Sequence, residues 1–329
     1  MSNEIIAIEG LTKRYGSFTA VDHLTLSVKQ GEVFGLLGPN GAGKTTTTLM
    51  LLGLTEPSEG SAMINGIDCT RNPLKVKRIV GYLSDNMGFY PDMTGRENLR
   101  MTGRMNEMDD VPLESRIDAL LERVGMTDAA DKKTSTYSKG MKQRLGIADI
   151  LMKDPDVLIM DEPTNGIDPE GMRELMTLIR ELSDVDGKTI LISSHQLHQI
   201  QQICDRVGIF VKGKLIACGH IDELARQLEQ ESGFLFEISA KPFGNALLVL
   251  LQSIPGVLSA QVHEDKVLVH AQGNICPDIL SALNSFNFEL THLRQCSGDL
   301  DEIYSRYFEK AGEASAERNQ KPHLLARRA

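Results

Sequence analysis

The stretch from Leu36 to Thr46 constrains the fold of this chain more than any other part of the sequence. It matches the pattern G-x-x-x-x-G-K-[ST] from Gly38 to Thr45, which is typical of a phosphate-binding loop. An apolar run precedes the loop and a leucine-rich run follows it, as when a buried parallel strand leads into a helix. Backbone N–H groups of such a loop converge on a polyphosphate, and the helix N-terminus adds positive potential. The alternative, a glycine-rich turn that happens to precede a lysine, does not explain the flanking runs.

This loop predicts which residues bind the phosphates of a nucleotide and Mg²⁺. Lys44 is expected to contact the β- and γ-phosphates, and the hydroxyl of Thr45 is expected to contact the metal ion. The residues expected to contact the nucleotide are Gly38, Pro39, Asn40, Gly41, Ala42, Gly43, Lys44, Thr45 and Thr46. A phosphate-binding loop by itself still allows kinases, GTPases and motor ATPases.

A second pattern restricts the kind of phosphate-binding-loop protein that this chain can be. The apolar run Val157–Met160 ends in Asp161 and Glu162, as in a buried strand followed by two carboxylates. A carboxylate at the end of such a strand can hold Mg²⁺ through Thr45 and water, and this role is predicted for Asp161. Glu162 is expected to lie near the γ-phosphate, where a carboxylate can orient or deprotonate the attacking water. A charged strand end without function is the alternative, and the phosphate-binding loop makes it the weaker one.

Length and composition restrict the class of protein. With 329 residues the chain has room for two domains, each with its own core. The net charge of −10 argues against a generic nucleic-acid-binding protein, so no nucleic-acid partner is expected. The five cysteines form no C-x-x-C pair, which favours reduced thiols in a cytosolic protein. We expect neither a membrane-spanning segment nor a signal peptide, because no apolar run is long enough and the first residues lack a basic region.

The order of strand and helix patterns predicts an α/β fold. Alternating strands and helices indicate a P-loop NTPase core with a parallel sheet, together with an antiparallel β subdomain near the N-terminus. We expect the ATPase domain to cover 1–232 and to contain a helical insertion at about 88–153. A strand–helix–strand–strand–helix–strand order then predicts a small α+β, ferredoxin-like domain over 233–311, ending in a helix at Leu300–Lys310. The polar tail 312–329 is expected to be disordered.

Further motifs, together with the two above, resemble those of the ATP-binding subunits of ABC transporters over roughly Ile5–Gly219. The segment Tyr137–Arg144 resembles the signature sequence L-S-G-G-Q, which other P-loop families lack. Tyr15 matches the aromatic residue that stacks on adenine in that family, and Asn165–Asp168 resembles the loop that contacts the opposite subunit. His195 matches the switch histidine that contacts the γ-phosphate.

This resemblance implies an ATPase that works as a dimer and drives a membrane protein. Ser138 and Gly140, at a helix N-terminus, would bind the phosphate of an ATP molecule held by a second, identical subunit. Glu162, His195 and Lys44 would be the catalytic residues, with ATP and Mg²⁺ as cofactors. The permease would be a separate integral-membrane chain, and this subunit would lie at the cytoplasmic face of the cell membrane.

The segment after Gly233 resembles the accessory domain of ATPase subunits from drug- and ion-exporting systems, which favours export over import. A domain that only stabilises the subunit or its dimer explains the segment equally well. The leading alternative function is a non-transport ABC ATPase acting on ribosomes or DNA, but its usual paired cassettes, zinc-binding cysteines or long coiled coils are not visible in the sequence. A non-hydrolysing ATP-binding scaffold is disfavoured because Glu162 and His195 are both present.

Three residues depart from the usual pattern of that family. Lys139 replaces the first glycine of the signature and Met141 replaces its glutamine, while the serine and the second glycine remain. Asp85 stands where the family most often has a glutamine that touches Mg²⁺ and the membrane subunit. A carboxylate can still reach Mg²⁺ or a water, so we expect Asp85 to be a third metal contact and to couple hydrolysis to the permease.

Overall fold

The structure, a computed structural model, does not describe every residue of the chain. The described residues are 4–196, 200–295, Tyr304 and Tyr307. The predicted helix Leu300–Lys310 lies outside them apart from those two tyrosines, and the tail 312–329 lies wholly outside them.

The chain divides into two compact units, Met1–Cys218 and Gly219–Ala329. The strands of the first unit are β1 (Glu4–Tyr15), β2 (Phe18–Lys29), β3 (Val33–Leu37), β4 (Glu59–Ile64), β5 (Ile67–Asp68), β6 (Val80–Leu83), β7 (Val157–Asp161), β8 (Thr189–Ser194), β9 (Arg206–Val211) and β10 (Lys214–Gly219). Its described helices are α1 (Lys44–Leu51), α2 (Pro73–Ile79), α3 (Gly95–Met105), α4 (Asp110–Arg123), α5 (Lys139–Leu151) and α6 (Pro169–Asp184).

A six-stranded sheet, in the order β10-β9-β3-β8-β7-β6, positions the candidate site. Strands β9, β3, β8, β7 and β6 pair in parallel with their neighbours, so their carboxyl ends lie at one edge of the sheet. Every residue of β3, β7 and β8 is buried, as expected for strands covered on both faces. The phosphate-binding loop follows β3, Asp161 ends β7 and His195 follows β8, so the strand order gathers three distant segments at this edge.

A four-stranded antiparallel sheet, in the order β2-β1-β4-β5, forms the predicted β subdomain. Strands β1 and β2 make a long hairpin in which Tyr15 pairs with Phe18 next to the turn. One hydrophobic core joins this sheet to α1 and β3, because alternate residues of its strands face inward; it includes Ile6, Ile8, Leu24, Leu26, Phe34, Met50 and Leu51. The predicted fold class, an α/β P-loop core with an antiparallel β subdomain, is confirmed.

Three helices, α3, α4 and α5, fill the region where the sequence predicts a helical insertion. Thr94 caps α3 in a capping box, in which its hydroxyl accepts from the Glu97 N–H and its own N–H donates to the Glu97 carboxylate. Ser138 caps α5 through a hydrogen bond that its hydroxyl accepts from the Met141 N–H. Both helices therefore begin with a side-chain cap, and α3 has in addition the return bond of a capping box.

The second unit has its own sheet and core. Its elements are α7 (Ile221–Ser232), β11 (Phe234–Lys241), α8 (Asn245–Gln252), β12 (Val257–His263), β13 (Lys266–Ala271), α9 (Cys276–Ser285) and β14 (Glu289–Gln295). The antiparallel sheet has the order β12-β13-β11-β14, and the α+β element order agrees with the prediction from sequence. The compact unit begins at Gly219, and the domain boundary expected between 232 and 233 stays a prediction.

Within the described residues, we find no helix that has both the length and the apolar character needed to cross a membrane.

Candidate nucleotide-binding and catalytic site

Two glycines allow the loop between β3 and α1 to lie close to neighbouring backbone. A Cβ atom at Gly38 would lie 2.4 Å from the carbonyl oxygen of Phe210. Gly43 has a φ of +110°, and a Cβ there would lie 2.4 Å from the carbonyl oxygen of Ala20. Any larger residue at either position would displace backbone, so both glycines are needed for the turn that presents the loop's N–H groups.

Lys44 lies inside this loop and is only 5% exposed. Its ammonium group donates hydrogen bonds to the carbonyl oxygens of Gly38 at 2.7 Å and Pro39 at 3.2 Å. It also lies 3.5 Å from Oε1 of Glu162, which links the loop to the end of β7. Burial lowers the pKa of Lys44, and the attraction of Glu162 opposes this shift. The side chain thus holds a partly compensated positive charge at the place predicted for phosphate.

Asp161 connects the loop to the neighbouring strands. The hydroxyl of Thr45 donates to its Oδ2 at 3.0 Å, and the hydroxyl of Ser193, on β8, donates to its Oδ1. Asp161 is 6% exposed, so these bonds orient its carboxylate. A hydroxyl and a carboxylate in contact are hard oxygen donors, which fits Mg²⁺, an ion that takes few protein ligands besides water and phosphate oxygens.

Glu162 and His195 meet at the same edge. The residue Glu162 has a φ of +51°, which is uncommon for a non-glycine residue, and its N–H donates to the carbonyl oxygen of Ser193 at 3.0 Å. Oε2 of Glu162 lies 2.8 Å from Nδ1 of His195 and accepts from the His195 backbone N–H at 3.4 Å. The carboxylate thus lies between a histidine and the ammonium of Lys44, with both contacts on different oxygens.

Tyr15 ends β1 with its ring largely open to solvent, since the residue is 51% exposed. The ammonium of Lys13 lies 5.0 Å from the centre of this ring and also donates to the carbonyl oxygen of Glu56 at 2.7 Å. An exposed aromatic ring can stack on a base, and this role of Tyr15 stays a prediction.

The signature residues form the exposed start of α5. Ser138 is the N-cap, and a Cβ at Gly140 would lie 3.5 Å from a methyl group of Ile167, at ordinary contact distance. The loop after Glu162 therefore packs beside the first turn of α5. Asp168 in this loop caps α6 by accepting from the Gly171 N–H at 3.1 Å.

Asp85 follows β6, and its carboxylate contacts two other side chains. Its Oδ1 lies 3.4 Å from the ammonium of Lys139 and accepts from the side-chain amide of Asn165 at 3.3 Å. Of the three residues expected to bind Mg²⁺, Thr45 and Asp161 contact each other. Asp85 instead contacts Lys139 of α5 and Asn165 of the loop after Glu162. The metal contact of Asp85 stays a prediction.

Ser193 is a site residue that the sequence reading missed. Its hydroxyl orients Asp161, and its carbonyl oxygen holds the Glu162 backbone. The available signal was its position near the end of a buried strand, immediately before Ser194 and His195. The sequence around Ser193 does not indicate that β8 lies beside β7. This pairing of the two strands is what places Ser193 next to Asp161.

Comparison with known proteins places the chain among transport ATPases. Residues 21–165 match the family described as ABC transporter. The bacitracin transport ATP-binding protein BcrA from Bacillus licheniformis is 40% identical over 264 residues, or 80% of this chain and 84% of that protein. The linearmycin resistance ATP-binding protein LnrL from Bacillus subtilis (strain 168) is 32% identical over 91% of this chain and 97% of its own length. Among solved structures, cbiO1 from Clostridium perfringens, part of the ABC transporter complex cbiONQ, aligns with a TM-score of 0.63 and 28% identity over 69% of this chain and 95% of that chain.

Proposed function

The chain belongs to the ABC transporter family as an ATP-binding and ATP-hydrolysing subunit, and we propose that it drives export through a separate integral-membrane permease. The observation that carries this proposal is the meeting of Lys44, Asp161 and Glu162 at the carboxyl edge of one parallel sheet. Export, and not import, is supported by relatives whose names refer to bacitracin transport and to linearmycin resistance.

In the proposed mechanism, the loop from Gly38 to Thr46 binds the phosphates through backbone N–H groups and the ammonium of Lys44. Thr45 and Asp161 would hold Mg²⁺, which supplies charge neutralisation on the β- and γ-phosphates when bound. The Glu162 carboxylate orients the attacking water and accepts its proton. The contact with His195 holds one oxygen of that carboxylate. In this proposal His195 also contacts the γ-phosphate.

We further propose that the active form is a homodimer with two ATP molecules between the subunits. The N-terminus of α5 offers backbone N–H groups and the Ser138 hydroxyl at an exposed surface, which suits a phosphate from the facing subunit. Gly140 supports this role because it lets a ligand approach the backbone of the first turn. Tyr15 would stack on the adenine of the ATP bound to its own subunit.

A groove between the end of β6 and helices α3 and α5 is the surface we propose for the permease. Its volume is about 290 Å³, and its wall includes Tyr90, Met101, Met105 and Asp149. Tyr90 is 49% exposed and Met105 is 68% exposed, so apolar side chains are open to a partner. Docking there would hold the subunit at the cytoplasmic face of the cell membrane.

The function is tested by replacing Glu162 with glutamine in the full chain. We expect Glu162→Gln to bind ATP normally and to lose about 10²- to 10⁴-fold of its ATPase rate, because glutamine cannot accept the proton of the attacking water. With ATP and Mg²⁺ the variant should also accumulate as a dimer, which gel filtration measures.

Glu181→Gln, an exposed change on α6, serves as the matched control and should hydrolyse ATP at the wild-type rate. A Glu162→Gln protein with full turnover would show that the catalytic assignment is wrong. The permease proposal is tested by mild detergent extraction from the native host, in which the tagged chain should co-purify with a polytopic membrane protein.

A further inference from the structure

Two of the residues that depart from the family pattern contact each other in this structure. Lys139, in the first turn of α5, forms an ion pair with Asp85, in the loop after β6, at 3.4 Å. The two residues are 54 positions apart in the chain, so the pair joins separate segments. A glycine at position 139 has no side chain and a glutamine at position 85 has no charge, so neither usual residue allows this ion pair.

The pair also reaches the loop that follows the catalytic carboxylate. The side-chain amide of Asn165 donates to the same oxygen of Asp85 at 3.3 Å. The stem of Lys139 covers Gly166, where an added Cβ atom would lie 3.0 Å from its Cδ and 3.2 Å from its Nζ. These contacts connect three segments: the loop after β6, the first turn of α5 and the loop after Glu162.

An open space and a buried amide, unsatisfied within the described part of the chain, lie beside the first turns of α5. A cavity of about 460 Å³ lies beside its first turns, and its wall is formed by Asp85, Asn86, Met87, Lys139, Lys142 and Gln143. The Gln143 amide is fully buried, and among the described residues neither its oxygen nor its nitrogen has a hydrogen-bond partner. Because the Gln143 amide makes no hydrogen bond to any residue that the structure describes, the polar contacts of Lys139 are the ones that join this side of the helix start to the loop after β6.

We propose that Asp85, Lys139 and Asn165 form a bridge that positions the start of α5 against the loop after Glu162. The bridge sets where Ser138 lies relative to the catalytic carboxylate, so ATP turnover in the dimer depends on it and ATP binding to the phosphate-binding loop does not. The three are positioning residues that act through α5 and the loop. This inference rests on the proposed function, because it assigns a task to the same ATPase site.

The bridge is tested by reversing its charges in the full-length protein. Asp85→Lys and Lys139→Asp each place like charges face to face, and each should lower the kcat for ATP about two- to fivefold, the range expected for a half-exposed pair. The double variant Asp85→Lys/Lys139→Asp restores the pair in reverse and should recover kcat. The KM for ATP should stay at the wild-type value in Lys139→Asp, and the single-variant losses in kcat should shrink as the salt concentration rises.

A matched control is the exposed ion pair Arg104–Asp110, at 3.2 Å, which lies on the same helical insertion but joins only α3 to α4. Arg104→Asp should leave kcat unchanged, which separates the bridge from a general effect of charge. If the fold decrease in kcat of the double variant equals the product of the two single decreases, the bridge proposal is wrong. A rise in KM instead of a fall in kcat would also overturn it. A wild-type protein without ATPase activity would refute the proposed function itself, whereas an active wild type with no rescue refutes only the bridge.

Discussion

At the scale of single residues, Lys44 shows how function and stability oppose each other. Its ammonium is buried, and the loss of hydration outweighs the attraction of Glu162, so its pKa lies below the ordinary value of 10.5. A lysine with a lowered pKa destabilises the folded state while it is charged. The cost is fully present below the folded-state pKa and disappears as the pH rises from there towards 10.5, where the unfolded lysine also loses its proton.

We therefore expect Lys44→Met to separate the two effects. Methionine fills a similar volume without a charge, and Glu162 keeps its contact with His195, so the thermal midpoint of the nucleotide-free protein should be equal to or above that of the wild type. ATP affinity should fall roughly ten- to a hundredfold, because a charged hydrogen bond to phosphate is lost. Differential scanning fluorimetry and nucleotide titration measure the two quantities.

The advantage in thermal midpoint should shrink as the pH is raised towards the ordinary pKa of lysine, and this dependence identifies the buried charge as the cause. A midpoint well below that of the wild type at neutral pH would mean that the carbonyl hydrogen bonds of Lys44 stabilise the loop more than its burial costs.

At the scale of helices, α3 and α5 both start with a hydroxyl side-chain cap but are proposed to do different work. Thr94 and Ser138 each accept a hydrogen bond from a backbone N–H three residues on, at 3.1 Å and 3.2 Å. Only the start of α5 is proposed to meet a phosphate. The pair of caps thus offers an internal comparison between a stabilising cap and a cap that also binds a ligand.

Ser138→Ala and Thr94→Ala should each cost about 0.5–2 kcal/mol of unfolding free energy, the usual contribution of such a cap. In the background of Glu162→Gln, the Ser138 change should also weaken ATP-dependent dimerisation by about tenfold or more, because a hydrogen bond to a charged phosphate is lost. The Thr94 change should leave dimerisation unaffected. Chemical denaturation and analytical ultracentrifugation give the two readings, and equal dimerisation in both variants would contradict the role of Ser138.

The elements that the sequence predicts well are those with a strong local pattern. The continuous apolar runs of β3 and β7 predict both strands, and the glycine spacing around Lys44 predicts the phosphate-binding loop. The contacts of Asp85 with Lys139 and Asn165 have no local pattern, because each depends on how distant segments pack. For the same reason the sequence associates Asp85 with Mg²⁺ from its place in the chain, whereas its observed contacts are with other side chains.

At the scale of the whole molecule, the chain contains separate hydrophobic cores. The core of the second unit is built from residues between Phe236 and Leu283. Every residue predicted to bind nucleotide lies before that core in the sequence. The division after Cys218 was not visible from composition, because the shift in composition comes at the end of α7 and not at its start.

Removal of residues 234–329 should therefore leave a folded, ATP-binding protein. Separate cores are typical of domains that fold independently, so the truncated chain should unfold cooperatively and bind ATP within about twofold of the full-length affinity. Circular dichroism during thermal unfolding and titration with a fluorescent ATP analogue check this. An insoluble product, or one that no longer binds nucleotide, would show that the second unit is required by the ATPase fold.

The order of strands in the main sheet has a consequence for protein synthesis. Strand β3 pairs with β8 on one side and with β9 on the other, so it gains its neighbours only after residue 211 has been translated. At about 5–20 residues per second, this leaves the nascent β3 unpaired for on the order of ten to thirty seconds. During that interval the apolar strand β3 has no paired neighbour. Such an unpaired strand can bind chaperones or aggregate. ATP cannot guide these early steps of folding, because its binding loop forms only after most of the ATPase unit has left the ribosome.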